Sequence, residues 1–315
     1  MTVDDALRSC LQAACHSPKT LNPVHSIIQQ DEVVANATAH VAETPRFLLR
    51  SRDDFLAPDR FLRGVSAPVT LIALLQARNE QRFLPGWLEN VAPCVDGIIA
   101  LDDGSIDATA EILRAHPKVI ELLSNPPGRQ WDERGNQMAL VQAGRRHGAG
   151  WFLCVDADER LERAFATNAR DLLREADAKG IDVYSLQLRD LWGDRRHYRC
   201  DGIWNQTIRF RLFRNNPTHR KFDPRPLHRL WMPLEIAVNS DTRGRHSEIN
   251  LYHLRLIAAA DRAARVARYQ ALDPLQLYQG YSYSRFTDET GLRLQEIPPE
   301  RDFLPQDDPA IQLDR

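Results

Sequence analysis

The sequence predicts an α/β fold, a mixed central sheet flanked by helices, on two observations. From Val69 to Val155, short apolar runs alternate with helical segments, the pattern of parallel strands covered on both faces. Two of these runs also end in paired carboxylates. The first reads Asp96-Gly-Ile-Ile-Ala-Leu-Asp102-Asp103-Gly104-Ser105-Ile-Asp107 and the second Trp151-Phe-Leu-Cys-Val-Asp156-Ala-Asp158-Glu159. In open α/β sheets, ligands bind at the carboxyl ends of the strands. Two acidic ends on one sheet edge suit a divalent metal carrying a phosphorylated ligand.

The elements follow in order. Residues 1–66 form an N-terminal extension, with helical periodicity from Val3 to Ala14 and then Pro18, Pro23, Pro45 and Pro58 as punctuation. A catalytic-type domain is expected over 67–256. Val69–Leu75, Gly97–Leu101, Val119–Leu123 and Trp151–Val155 read as strands, their apolar runs marking burial. Between them Phe83–Val91, Asp107–His116 and Asp132–His147 read as helices, the second capped by Ser105 or Asp107. A further helix at Arg163–Ala178 stops at Gly180. Beyond it Asp182–Leu188, Thr207–Phe213 and Asn250–Leu254 alternate as strands do, without regular helices between them. Residues 257–315 are read as a C-terminal helix, Ala258–Leu272, and a Pro-rich acidic tail expected to pack poorly.

Composition excludes several classes. Forty-one basic and 43 acidic residues leave a net charge of −2, so nothing global argues for nucleic acid or a polybasic membrane footprint. No stretch approaches the roughly 18 apolar residues of a membrane span. The start, Met1-Thr-Val-Asp-Asp, lacks the features of a signal peptide. Five cysteines, Cys10, Cys15, Cys94, Cys154 and Cys200, show no C-x-x-C pair. A reduced, cytoplasmic protein is expected.

Asp156 and Asp158 are two apart, so in extended backbone both carboxylates face one side and can share a cation. A bare D-x-D pattern arises by chance on the order of once in a chain this long. The apolar strand before it and the second acidic strand end give it weight. Gly104 makes the turn after Asp102 and Asp103, and a cap accounts for Ser105 or Asp107, but neither explains two adjacent acids. One of those acids is free to accept hydrogen bonds from ribose or a base. Ala77-Arg78-Asn79-Glu80 follows the first strand onto the same edge, where Arg78 suits phosphate and Asn79 a base or ribose.

Ala-Arg-Asn-Glu, then Asp-Asp-Gly-Ser-x-Asp, then Asp-Ala-Asp-Glu, in this order and spacing, resemble the family-2 glycosyltransferases of the GT-A fold over about residues 68–255. The likeness is nearest to bacterial enzymes of lipopolysaccharide-core and surface-glycan synthesis. It extends to Trp131-Asp-Glu-Arg134-Gly-Asn136-Gln and Arg209-Phe-Arg211-Leu-Phe-Arg214. The resemblance implies a GT-A-like, Rossmann-like mixed sheet, a nucleotide-sugar donor, Mn²⁺ or Mg²⁺, and inversion at the anomeric carbon. It implies a glycan, lipid-linked or small-molecule acceptor. Carried over by motif, Ala77, Arg78, Asn79, Asp102, Asp103, Arg134 and Asp156 face the donor. Asp158, with Asp156 and His253, faces the metal.

Relatives often carry His-Glu where this chain reads His228-Arg229. An inverting transfer needs a base for the acceptor hydroxyl, and an arginine stays protonated. His228, Asp201 and Glu235 are the candidate catalytic bases, with Glu248 a further carboxylate in reach of the sequence argument. Two rivals stand beside the transferase. A sugar-phosphate nucleotidyltransferase needs a Gly-rich basic loop after the first strand, and Gln76–Glu80 has no glycine. A nucleotide-sugar-binding protein on an altered scaffold is favoured by Arg229 and opposed by the intact Asp156/Asp158 pair.

Overall fold

The computed structural model describes residues 70–225, 229–278 and 281–311, all within the compact unit Val69–Arg315. The expected extension 1–66, its helix at Val3–Ala14, and His228 lie outside the described residues.

Strands and helices alternate through the first half, as read from the sequence. They are β1 (Leu71–Ala77), α1 (Leu84–Val91), β2 (Gly97–Asp103), α2 (Thr109–Ala115), β3 (Val119–Asn125), α3 (Glu133–Arg146) and β4 (Trp151–Cys154). The second half contributes β5 (Glu159–Leu161), α4 (Ala164–Lys179), β6 (Val183–Asp190), β7 (His197–Arg199) and β8 (Ile208–Arg214). Short helices α5 (Leu234–Ala237) and α6 (Ser240–Arg243), then β9 (Gly244–His253), α7 (Ala259–Leu272) and β10 (Leu294–Glu296) complete it. One sheet runs β3-β2-β1-β4-β8-β6-β9-β5 and a two-stranded ribbon pairs β10 with β7.

The sheet is mixed, as expected. β1 pairs parallel with β2 and β4, and β2 with β3, whereas β8 runs antiparallel to both β4 and β6. The inner parallel strands are covered along their length, with no exposed residue in β1, β2 or β4, whereas β3 at the sheet edge is partly exposed. Their alternate faces pack against helices. Leu71, Ala73, Leu75, Ile98, Ala100, Trp151 and Leu153 meet Leu84, Trp87, Leu88 and Val91 of α1 and Phe165, Ala169 and Leu173 of α4. Each fully buried aliphatic side chain contributes about 1.5–3 kcal/mol, which favours this layering over any exposed alternative.

The start of α2 follows one of the two alternatives read from the sequence, and the tail departs from its reading. Ser105 does not cap α2; its Oγ accepts the Asn79 N–H at 2.9 Å. Ala108 holds the N-cap position, and Asp107 just before it engages the helix start, its Oδ1 accepting from Thr109 N–H at 2.9 Å and its Oδ2 from Gln81 N–H at 3.2 Å. The tail does not pack poorly. Phe303 is fully buried, and Asp308 pairs with the wholly buried Arg160 at 2.7 Å. Asn90 Nδ2 also donates to Leu304 O at 2.9 Å. Gly86 in α1 makes room, since a Cβ there would lie 2.3 Å from Asp308 Oδ2. Proline content marked the tail as irregular; buried anchors spaced along it make it ordered.

Candidate active site

Parallel β2, β1 and β4 are neighbours and end together, so the loops that follow them form one edge. Ala77 stands opposite Asp102 and Leu74 opposite Cys154. Asp103, Arg78 and Asp156 therefore emerge side by side, as the strand-end argument expected.

The loops lock to one another. Asn79 adopts a left-handed conformation (φ 55°), which an asparagine tolerates, and its Oδ1 accepts the Ile106 N–H at 2.9 Å. Gly104 takes φ +74°, where a Cβ would meet Pro126 O at 2.5 Å. Asp102 Oδ1 accepts the Ser105 N–H at 3.1 Å and so closes the turn. Ala77 is a core residue, 1% exposed. Asp103 is different: its side chain is fully buried, and Arg78 Nη1 lies 3.8 Å from its Oδ2.

The two aspartates of D-x-D are held by separate arginines. Arg211 Nη2 donates to Asp156 Oδ2 and to Glu159 Oε1, both at 2.5 Å. Trp231 Nε1 donates to Asp156 Oδ1 at 3.3 Å. Arg255 Nε donates to Asp158 Oδ2 at 2.5 Å, and its Nη2 to Glu80 Oε1 at 2.7 Å. Phe83 lies under the Arg255 guanidinium, 4.6 Å from ring centre to Cζ. Burial alone would raise the Asp158 carboxyl, but Arg255 and His253 hold it well below the usual range.

His253 reaches this place because β9 runs beside β6 and β5, putting it opposite Asp190 and Glu159. Its Nδ1 contacts Asp190 Oδ1 at 2.7 Å. Nε2 faces Asp158 Oδ2 at 3.4 Å and Arg265 Nη1 at 3.2 Å. Burial favours the neutral ring, yet Asp158 and Asp190 push its pKa up to about 9. One carboxylate and one imidazole oriented by a second carboxylate fit a hard divalent cation arriving with a diphosphate, which would fill the remaining positions with phosphate and water oxygens. They do not make a stand-alone cage: no group of three or more metal-ligating side chains converges among the described residues. A cation there must displace the proton of His253 and the contact with Arg255.

The other candidate residues fall elsewhere or are already engaged. Glu235 is at the opposite end of the sheet. It accepts backbone N–H groups of Arg220 and Lys221 at 3.0 and 3.1 Å and lines a polar cavity of about 410 Å³ with Arg214, Asn216 and His219. Arg214 pairs with Trp151, the first residue of β4, which fixes that end. Asp201 takes Arg199 on both oxygens, at 2.9 and 3.0 Å, and the Arg293 N–H at 3.1 Å. Burial acts against its charge, but Arg199 and that backbone donor hold its carboxyl low. Glu248 is exposed on β9, and Arg134 is exposed at the second position of α3.

Several residues of the site were not read from the sequence. Arg255 and Arg265 had no motif to mark them. Glu133 follows the cap Asp132, which accepts the Gly135 N–H at 2.9 Å. Burial, then the Asp156 carboxylate, pushes its pKa up to about 7 against the pull of Arg229. Asn125 and Asn136 close the far side of Asp103, Asn125 Nδ2 reaching Asp103 Oδ1 at 2.6 Å and Asn136 Oδ1 at 2.9 Å.

No family model matches the chain. An uncharacterised protein of Mycobacterium tuberculosis is 28% identical over 225 residues, 68% of this chain and 54% of its own length. A TPR repeat-containing protein of Synechococcus elongatus is 31% identical over 170 residues, 54% of this chain and 37% of its own. The chain thus spans about half the length, or less, of these curated relatives. Among solved structures, TarS of S. aureus in complex with UDP-GlcNAc is 12% identical, covering 70% of this chain and 74% of that one, with a TM-score of 0.43. Glucosyl-3-phosphoglycerate synthase of M. tuberculosis, in complex with Mn²⁺, UDP and glucosyl-3-phosphoglycerate, is 14% identical over 73% and 88%, with a TM-score of 0.40. In the chain itself, acidic loops stand at the carboxyl ends of β2 and β4, and β9, which pairs parallel with β6 and antiparallel with β5, returns a histidine beside them.

Proposed function

We propose that the chain is a glycosyltransferase that moves a sugar from a nucleotide-sugar donor to an acceptor hydroxyl with inversion, assisted by Mn²⁺ or Mg²⁺, in surface-glycan synthesis. The observation that carries this is the placement of Asp103, Asp156 and Asp158 at the carboxyl ends of β2 and β4, the two strands that flank β1, with His253 brought in from β9. TarS and the mycobacterial synthase, whose crystals hold UDP-sugar or Mn²⁺ with UDP, are in keeping with it.

On this reading Asp103 lies against the nucleoside, Asp156 faces the ribose or sugar, and Asp158 and His253 hold the metal. The metal supplies charge neutralisation to the departing diphosphate. Arg255, Arg265 and Arg211 carry positive charge at the same edge and are fixed before any ligand arrives, as electrostatic stabilisation requires. Proton removal from the acceptor falls to His228, with Glu133 as the alternative because its carboxyl is poised near neutrality beside Asp156.

Calorimetry with nucleoside diphosphates, with and without Mn²⁺, followed by a screen of nucleotide sugars for hydrolysis, tests the proposal. Metal-dependent nucleotide binding with slow sugar release supports it. Absence of binding to every nucleoside diphosphate overturns it. Binding without transfer to any acceptor favours the altered, non-catalytic scaffold.

A further inference from the structure

The near-balanced net charge of the chain conceals a local imbalance around α7. From Arg262 to Arg285 the sequence holds four arginines, Arg262, Arg265, Arg268 and Arg285, and a single acid, Asp273. Asp273 is 2% exposed, whereas Arg268 is exposed, so this stretch shows solvent only positive charge. Tyr269, Tyr278, Tyr281 and Tyr283 are interleaved with the arginines.

The same stretch exposes apolar surface. Ala260, Ala264, Ala267 and Ala271 recur at helical spacing and are all exposed, a stripe along α7. The stripe runs into Leu272, Leu275 and Leu277, which are 47, 75 and 57% exposed. Exposed leucines scattered singly need no explanation; three gathered at one helix end form a patch. Asp273 fixes the loop that carries them. Its Oδ1 accepts the Leu277 N–H at 2.9 Å, and its Oδ2 the Tyr278 N–H at 3.1 Å and the Tyr283 O–H at 2.7 Å. Tyr283 in turn stacks on Tyr269 of α7, with ring centres 5.0 Å apart. The acid is thus committed inside the loop while the leucines are held outward.

The patch lies on the helix that serves the candidate site. Arg265 Nη1 is 3.2 Å from His253 Nε2, and the Arg268 guanidinium is 5.6 Å from the centre of the Trp131 ring. Leu272 stands about 10 Å further along α7 than Arg265.

We infer that α7 and its leucine loop dock on an anionic membrane surface, the leucines entering the interface and the arginines meeting lipid phosphates. Charge complementarity selects this occupant over a second copy of the chain. Two copies meeting through one patch would set arginine against arginine, whereas anionic headgroups neutralise them. Leucine, tyrosine and arginine are also the side chains that suit the headgroup boundary. Among the described residues no helix is long and apolar enough to cross a membrane; the contact is with one leaflet. In one respect the inference rests on the glycosyltransferase reading: docking then brings the candidate site to the bilayer and makes the acceptor's carrier a lipid.

The test is co-sedimentation of the full chain with vesicles of phosphatidylcholine alone, and of phosphatidylcholine mixed equally with phosphatidylglycerol. The chain should pellet with the mixed vesicles, less so as salt is added, and only weakly with phosphatidylcholine. The double variant Leu275→Ser, Leu277→Ser should bind the mixed vesicles at least about 10-fold more weakly, with melting temperature and nucleoside diphosphate affinity unchanged. The comparison of the two vesicles on the unaltered protein decides the matter even if the variant fails to fold. Absence of binding to the mixed vesicles, or equal binding to both kinds, overturns the docking. So does a variant that binds as the unaltered protein does, or a dimer seen by gel filtration that the variant loses. Vesicle binding by a chain that binds no nucleoside diphosphate upholds the docking and overturns the transferase reading; nucleotide binding without vesicle binding does the reverse.

Discussion

Asp103 and Asp102 are adjacent in sequence and opposite in use, which single substitutions can separate. Asp102 closes a turn through the Ser105 N–H, whereas Asp103 keeps a buried oxygen free. Asp103→Ala should weaken nucleoside diphosphate binding about 10- to 100-fold, the loss of one charged hydrogen bond of ~1.5–3 kcal/mol. Asp102→Ala should lower the melting temperature and leave affinity within about threefold of the unaltered protein by calorimetry, since it removes one turn hydrogen bond. Asp158→Asn should abolish the Mn²⁺-dependent part of that affinity and spare the rest, because an amide replaces a charged hard-oxygen ligand. His228→Ala and Glu133→Gln separate the two bases: the one that lowers turnover without moving nucleotide affinity marks the proton acceptor.

At the scale of elements, β1, β2 and β4 were legible because their apolar runs are buried on both faces, and the acids of β2 and β4 sit where the runs end. The arginines were not. Arg255 meets Asp158 across 97 residues and Arg211 meets Asp156 across 55, and no local pattern records such pairings. The surroundings of Glu235 and Asp201 were hidden for the same reason, since a carboxylate in sequence says nothing about which end of the sheet it reaches. The tight turn after β2 was legible, and Gly104→Ala should destabilise the fold by about 1–3 kcal/mol, because it forces an alanine to positive φ against Pro126 O, 2.5 Å away. Chemical denaturation measures it. The start of α3 yields a pH prediction. Glu133 has its pKa raised to about 7 in the folded chain, above its ordinary unfolded value. Between those two values the folded state holds a proton that the unfolded state has released. Stability from this group is therefore complete below the unfolded pKa and falls as pH rises toward 7. Glu133→Gln should flatten the decline of melting temperature across that window.

For the molecule as a whole, the final segment is part of the core. Arg160 is wholly buried, and besides Asp308 it donates to Ala157 O, Glu159 O and Phe83 O at 2.9 Å. Asp308→Ala strips a buried cation of its counter-charge and should cost about 3 kcal/mol or more, read as a shift in denaturation midpoint. Charge of the whole chain is nearly balanced, so the expected effect is local to the seam between the tail and α1.

The pairing of each D-x-D aspartate with its own arginine bears on how the protein is handled. Acids gathered for a cation would repel one another without it, and a fold that depended on the ion would collapse in a chelating buffer. Here the guanidinium groups of Arg211 and Arg255 already neutralise Asp156 and Asp158. Purification and storage in EDTA should leave the melting temperature where it was, and stripped protein should regain full nucleotide affinity as soon as Mn²⁺ is returned.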